Sequence, residues 1–160
     1  MPRGLLILVP LAVSVAAAQP PSEGHIAFVS SRGGPYAIYL MNADGSEQRK
    51  LTTERAAEFH PAWSPDGTEI AFASDRAGND EIYVMASDGT RTRRLTWNPV
   101  TIDDQPSWSP DGTTIAFARG VRPPGHNDIC VIEPDGSGYR RLTWDKADDV
   151  EPDWQPQPRS

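Results

Sequence analysis

The chain has 160 residues and carries 22 acidic against 15 basic side chains, a formal net charge of −7 at pH 7. This length suits one modest domain with a hydrophobic core. The acidic balance argues against a nucleic-acid partner, because phosphate binding needs a basic surface. With 16 Pro and 13 Gly, the composition does not fit a helical bundle. The single cysteine, Cys130, excludes an internal disulfide framework and a cysteine-rich zinc site.

The N-terminal residues have the pattern of a secretory signal peptide. One arginine precedes an apolar run at Leu5–Val15, and three alanines before Gln19 offer the small residues that a signal peptidase selects. The run is too short to span a bilayer comfortably, and no second apolar run follows it. The sequence therefore predicts a signal peptide at 1–18, a linker at 19–24, no membrane span after cleavage, and a periplasmic or secreted mature protein.

Beyond residue 25, four short motifs each occur three times in a constant order. They are Ile-Ala-Phe starting at 26, 70 and 115, Asp-Gly at 44, 88 and 135, Leu-Thr at 51, 95 and 142, and Pro-x-Trp at 61, 106 and 152. The spacing between copies is 44 to 47 residues. A period of this length is typical of solenoids and propeller blades.

Each repeat predicts four short β-strands. In the second repeat these are the Pro61–Trp63 segment, Glu69–Ser74, Glu81–Ala86 and Thr92–Thr96. Ser64-Pro65-Asp66-Gly67 predicts a tight turn, because Pro presets φ at the second position and Gly suits the last. Asp88-Gly89 predicts a hairpin. No stretch has sustained helical periodicity, so the fold class is all-β.

The runs Pro61-Ala62-Trp63-Ser64-Pro65-Asp66-Gly67, Ile70-Ala71-Phe72-Ala73-Ser74-Asp75-Arg76 and Arg94-Leu95-Thr96 resemble the repeat of TolB-like β-propellers. The resemblance covers residues 25–155 and leaves a tail at 156–160. It implies a ring of four-stranded antiparallel blades, six in TolB itself, that docks protein or peptide partners of the cell envelope at its channel mouth. The third repeat departs from the pattern, with Ala118-Arg119-Gly120 in place of Ser-Asp-Arg and Cys130 in place of Tyr39 and Tyr83.

The strand count gives about three blades per chain, with the ends permuted. The repeats supply three, four and four strands, and one more is predicted at Glu151–Gln155. An open propeller of this kind exposes a strand edge and apolar faces. One hypothesis is a head-to-tail homodimer, in which the Trp154 strand of one chain completes the first blade of the next and closes six blades. The alternative is a truncated piece of a longer propeller.

An acidic residue precedes each repeated tryptophan by five positions, and a second polar residue precedes it by three. The candidate binding residues are Glu58, Asp103 and Asp149 in the first set and His60, Gln105 and Glu151 in the second. In the resembled fold they would gather near the channel mouth, where carboxylates could bind a cation, a basic peptide or a polar ligand. Alternatively, the acids accept backbone N–H bonds and fix a turn.

The sequence contains no nucleophile elbow, zinc-protease, dinucleotide or phosphate-loop motif. It therefore predicts a protein that is not an enzyme, with no cofactor and no metal site. The predicted function is an extracytoplasmic propeller that binds a protein or peptide partner. One alternative is a gating or metal-dependent lyase-like propeller of a hydrolase or lyase, with His60, Glu58 and Gln105 as the lyase-like candidates. The other is a fragment without a function of its own.

Overall fold

The computed structural model describes residues 24–53, 55–121 and 125–156. The predicted signal peptide at 1–18, the linker up to residue 23 and residues 157–160 of the predicted tail lie outside these ranges. Within them the chain forms eleven β-strands and no helix. No helix of the described part is thus long and apolar enough to cross a membrane.

The strands form three sheets, and in each sheet every strand pairs antiparallel with the next strand of the chain. Blade 1 contains β1 (His25–Ser30), β2 (Ala37–Asn42) and β3 (Arg49–Lys50); blade 2 contains β4 (Glu58–Trp63), β5 (Glu69–Ser74), β6 (Glu81–Ala86) and β7 (Arg93–Arg94); blade 3 contains β8 (Ile102–Trp108), β9 (Ile115–Gly120), β10 (Asn127–Ile132) and β11 (Arg140–Arg141). The predicted all-β fold with four-stranded antiparallel blades is confirmed.

The prediction of a strand at Glu151–Gln155 is wrong for the described residues, in which this segment belongs to no sheet. The physical reason is that a strand needs a hydrogen-bonded neighbour. The Pro-x-Trp strands β4 and β8 each pair with the strand that follows them. No such strand accompanies the third Pro-x-Trp motif in the described part of the chain.

The turn between β4 and β5 has the predicted chemistry. Gly67 adopts a left-handed φ of +69°, and its N–H donates to the Ser64 carbonyl at 2.9 Å. The Ser64 hydroxyl donates to Asp66 Oδ1 at 2.6 Å, and the Thr68 N–H donates to the same oxygen. These bonds, the Ser64 bond first, hold the pKa of Asp66 below its ordinary value. The bonds among Ser64, Asp66, Gly67 and Thr68 thus fix the turn between β4, the innermost strand of blade 2, and β5.

The hydrophobic core lies between adjacent blades. One cluster joins blades 1 and 2 through Ile38, Leu51, Ile70, Phe72, Tyr83 and Met85, and another joins blades 2 and 3 through residues that include Ile82, Val84, Leu95, Ile115 and Phe117. In blade 2, β5 and β6 are buried on both faces. Their sequences are therefore almost continuously apolar rather than alternating. Each blade depends on its neighbours for burial of its faces.

We expect alanine at Gly89 to destabilise the protein more than alanine at Gly45. These glycines occupy the same repeat position and have φ of +92° and +83°, so each substitution costs about 1 kcal/mol of backbone strain. A Cβ at Gly89 would also lie 2.7 Å from the Leu51 carbonyl oxygen of blade 1, whereas one at Gly45 meets nothing within 4 Å. In urea denaturation, Gly89→Ala should lose at least about 1 kcal/mol more than Gly45→Ala. Equal losses would contradict this close contact between blades.

Candidate functional site

The innermost strands β4 and β8 share a bulge that holds a non-glycine residue in the left-handed region. The pairing register shifts between Phe59 and Ala62 in β4, and at the equivalent point of β8. His60 and Gln105 lie in these bulges with φ of +49° and +56°, and Glu151 has φ of +54°. All three are three positions before a repeated tryptophan. Non-glycine residues adopt such angles only where the surrounding structure imposes them, at a cost of about 1–3 kcal/mol each.

These three residues line one cleft on the inner side of the blades, with a volume of about 390 Å³. The Glu151 N–H donates to Gln105 Oε1 at 2.8 Å, which joins the third copy of the motif to β8. Three prolines, one after each bulge residue, form part of the cleft wall. The structure thus brings together His60, Gln105 and Glu151, the set that lies three positions before each tryptophan.

His60 contacts an acid that the sequence analysis did not single out. Its Nδ1 lies 2.7 Å from Asp104 Oδ1, and both side chains are partly exposed. The hydrogen bond to Asp104 raises the pKa of His60, and burial opposes this only in part. Asp104 lies between Asp103 and Gln105. This position beside the bulge was the signal in the sequence that could have identified it as a residue of the site. With Glu151 and the cleft residue Asp153, Asp104 makes this region predominantly acidic.

Glu58 and Asp103 do not face the cleft, because both are fully buried in ion pairs with arginines of the neighbouring strand region. Arg76 pairs with Glu58. Arg119 holds Asp103 through two bonds, Nε to Oδ1 at 2.7 Å and Nη2 to Oδ2 at 2.5 Å. Burial raises the pKa of Asp103, and the bonds from Arg119 oppose that shift. Glu58 and Asp103 thus bind arginines inside their blades, which differs both from ligand binding and from the backbone N–H bonds expected in the structural alternative.

Asp149, the third member of that set, is half-buried. Its N–H donates to the Asn127 carbonyl of blade 3 at 2.9 Å. Its carboxylate forms no ion pair with any residue in ranges 24–53, 55–121 and 125–156. Among the described residues, the acids of blades 2 and 3 are thus paired with arginines, whereas the third copy, Asp149, has no ion-pair partner.

The arginines that bind the buried acids lie on aromatic rings. The guanidinium of Arg76 is 4.8 Å from the Tyr83 ring centroid, and that of Arg119 is 4.6 Å from the Tyr139 ring centroid. Cys130 pairs with Phe117 in the position of the missing tyrosine, and its Sγ lies 3.4 Å from the Tyr139 hydroxyl. Tyr139 therefore replaces the ring that the third repeat lost. Comparison of the repeats in the sequence does not reveal this, because Tyr139 and Arg119 do not occupy the repeat positions of Tyr83 and Arg76.

A further buried acid, Glu81, was also missed. It accepts bonds from Arg94 Nη2 at 2.8 Å, the Thr96 hydroxyl at 2.5 Å and the Asn98 N–H at 2.8 Å. The available signal was the arginine pair in each of the outer strands β7 and β11. An arginine that points from such a strand into the blade needs a buried anion as its partner. Among the described residues, no group of three or more histidine, cysteine or acidic side chains could hold a metal ion.

A family model described as the TolB beta propeller domain matches residues 11–122. The chain belongs to this family. Tol-Pal system protein TolB of Geobacter metallireducens is 47% identical over 47 residues, which cover 29% of this chain and 11% of that protein. The same protein of Geobacter sulfurreducens is 45% identical over 47 residues, again 29% of this chain and 11% of its own length. The matched region is thus about a tenth of these relatives.

Solved structures support the same family over more of the chain. A TolB structure from Agrobacterium tumefaciens is 30% identical with a TM-score of 0.69, and the match covers 84% of this chain and 47% of that one. TolB from Acinetobacter baumannii is 26% identical with a TM-score of 0.65, covering 81% of this chain and 33% of that one. An oligogalacturonate lyase in complex with manganese, at 19% identity and a TM-score of 0.53, shares the fold alone. The chain thus spans less than half of the TolB structures.

We expect His60 to titrate above its ordinary pKa of about 6.5, because Asp104 stabilises the imidazolium. Since the folded-state pKa is raised, the pair stabilises the protein below the unfolded-state pKa. That contribution disappears as the pH rises through the folded-state pKa. NMR titration of the imidazole should show the raised value, and Asp104→Asn should lower it. An unchanged His60 pKa in the Asp104→Asn variant would contradict this pairing.

Removal of the Arg119 side chain should destabilise the fold strongly. Arg119→Ala leaves the Asp103 carboxylate buried without a cation, which typically costs about 3–5 kcal/mol. Arg49→Ala is the matched control, since Arg49 is exposed on the outer strand β3 and its loss should change stability by less than about 0.5 kcal/mol. Chemical denaturation measures both. A similar small effect of the two substitutions would show that the buried pair is not essential to the blade.

Proposed function

We propose that this protein is a non-catalytic, extracytoplasmic propeller that binds a basic segment of an envelope protein in its inner-strand cleft. The observation that carries the proposal is the left-handed conformation repeated at His60, Gln105 and Glu151. Glycine would occupy such positions at lower cost. Side chains kept in a strained backbone conformation are characteristic of functional sites. Their convergence on one cleft supports a binding role.

The chemistry of the cleft favours a cationic ligand. Asp104, Glu151 and Asp153 contribute carboxylates at or beside it, against one histidine, His60. An acidic concave surface attracts lysine and arginine side chains and speeds their encounter. The prolines of the cleft wall offer apolar contact for the aliphatic stems of such side chains. An extended basic peptide fits both features.

The proposed location rests on two observations. The signal-peptide pattern at the N-terminus predicts export, and the curated relatives are named Tol-Pal system protein TolB. We therefore propose that this chain is located in the periplasm or outside the cell and that its partner is a protein or peptide of the envelope. The likeness to the lyase is one of fold alone, and a shared fold does not specify function. It therefore supports no catalytic proposal.

Glycine substitution separates binding from stability at this site. We expect Glu151→Gly to keep or raise the free energy of unfolding by up to about 1 kcal/mol, because glycine tolerates the left-handed φ. The same substitution should weaken binding of a lysine-rich unstructured peptide, measured by fluorescence anisotropy at low salt. Glu47→Gly is the matched control, since Glu47 is an exposed acid with φ of +53° in the β2–β3 connection. It should gain similar stability and keep wild-type binding.

A glutamate-rich peptide of equal length serves as the ligand control and should not bind. Absence of lysine-rich peptide binding to the wild-type protein would overturn the proposed basic ligand. Equal loss of binding in the Glu47→Gly and Glu151→Gly variants would show that overall charge, rather than the cleft, determines the affinity.

A further inference from the structure

The segment Asp149–Trp154, here called the tail segment, has the position of an innermost strand, and no described strand pairs with it. In each copy of the repeat, the N–H of the acid donates to a carbonyl of the preceding blade: Glu58 to Tyr36 at 3.0 Å, Asp103 to Asp80 at 2.9 Å and Asp149 to Asn127 at 2.9 Å. Glu151 has the same left-handed φ as its two counterparts. Trp154 Nε1 also donates to the Ser107 carbonyl of β8 at 3.2 Å. The tail segment therefore lies on blade 3 as β8 lies on blade 2.

Blade 1 has the complementary gap. Its strand β1 pairs only with β2 among the described strands, so its inner edge has no partner there. In the other blades Trp63 lies opposite Ile70 and Trp108 lies opposite Ile115, and both isoleucines are 0% exposed. The equivalent residue of β1, Ile26, is 40% exposed. The position that a tryptophan covers elsewhere is open in blade 1.

Arg32 of blade 1 is placed like Arg76 of blade 2, but it has no acidic partner among the described residues. Arg32 lies 5.2 Å from the Phe28 ring centroid and 4.8 Å from that of Tyr39, and Arg76 has nearly the same distances to Phe72 and Tyr83. The Nε of Arg32 donates to the Ser30 hydroxyl, just as the Nε of Arg76 donates to the Ser74 hydroxyl. Arg76 binds the buried acid Glu58. Within the part of the chain that the structure describes, Arg32 contacts Gln48 but no carboxylate.

We propose that the tail segment of one copy pairs with β1 of a second copy, and that its Asp149 binds Arg32 there. The registers of β4 and β8 place Trp154 opposite Ile26 and Asp149 opposite Ser30 of the other copy. Asp149 and Arg32, neither of which has an ion-pair partner in the described part of the chain, are complementary in charge and in repeat position. Two such contacts join two sets of three blades in a closed, two-fold symmetric ring, which leaves no strand edge open.

The outer face of blade 3 also indicates that a second copy of the chain is the partner of β1. Leu142 of blade 3 is 43% exposed, whereas its counterparts Leu51 and Leu95, which the next blade covers, are 6% and 3% exposed. Blade 1 of a second copy would cover Leu142 as blades 2 and 3 cover the other two. Ring closure also brings the clefts of both copies to one channel. This inference goes beyond the proposed function, since it does not depend on what the cleft binds.

Charge reversal tests the contact through the mass of the full chain, expressed with its signal sequence and measured by light scattering after gel filtration. The wild-type protein should be a dimer. Arg32→Glu and Asp149→Arg should each weaken dimerisation by at least about tenfold, because each homodimer then holds two like-charged contacts. An equimolar mixture of the two variants should recover the dimer, because both contacts of the mixed dimer pair opposite charges.

Arg49→Glu makes the same charge change on the outer strand of blade 1 and should leave the dimer intact. Recovery in the mixture cannot arise from damage within either variant, so it would establish the contact between copies. A monomeric wild-type chain would overturn the proposal, as expected if residues 1–23 of the same chain cover β1. A mixture that remains monomeric would also overturn it. Peptide binding, measured separately, bears only on the function of the cleft.

Discussion

The buried carboxylate–arginine pair is the interaction on which blades 2 and 3 depend. Glu58 and Asp103 have no access to water, and each is held by an arginine that lies on aromatic rings of its own blade. A slip of one residue between the innermost and second strands would leave that charge buried and unpaired, at a cost of several kcal/mol. The pair therefore specifies the register of the blade more than it adds to its stability.

This constraint also accounts for the strained residues of the cleft. In β4 the acid at one end is fixed by Arg76, and Trp63 at the other end lies opposite Ile70. One extra residue between these two fixed points must leave the ladder as a bulge. His60 takes the left-handed angle there and faces the cleft instead of the blade interior. The cleft residues His60 and Gln105 are thus positioned by ion pairs that lie outside the cleft.

The same pair explains why the two ends of the described chain are complementary. Blade 1 retains the arginine and its aromatic platform, and the tail segment retains the acid and its backbone bond to blade 3. Among the described residues, Arg32 contacts no carboxylate and Asp149 forms no ion pair, and Ile26 of blade 1 is 40% exposed. Complementary open ends of this kind are what a closed ring of repeated blades requires.

The sequence by itself determined the repeat period, the turns and the strands of the three repeats, because these depend on local chemistry. Pro65 and Gly67 fix their turn wherever the blade packs, and the strands Glu69–Ser74 and Glu81–Ala86 have their predicted bounds. The sequence also grouped His60, Gln105 and Glu151, which line one cleft, since an equal distance from a packed tryptophan implies an equal place in the blade.

Only the tertiary structure decided which repeated residues face the cleft. Glu58 and His60 are two positions apart, and regular strands place such residues on the same face. The bulge breaks that alternation, so the acid is buried with Arg76 while His60 lines the cleft. Arg119 and Tyr139 fill equivalent places from different repeat positions, because a long side chain reaches a site that its backbone does not define. Contacts of this kind depend on three-dimensional distance, which the spacing along the chain does not encode.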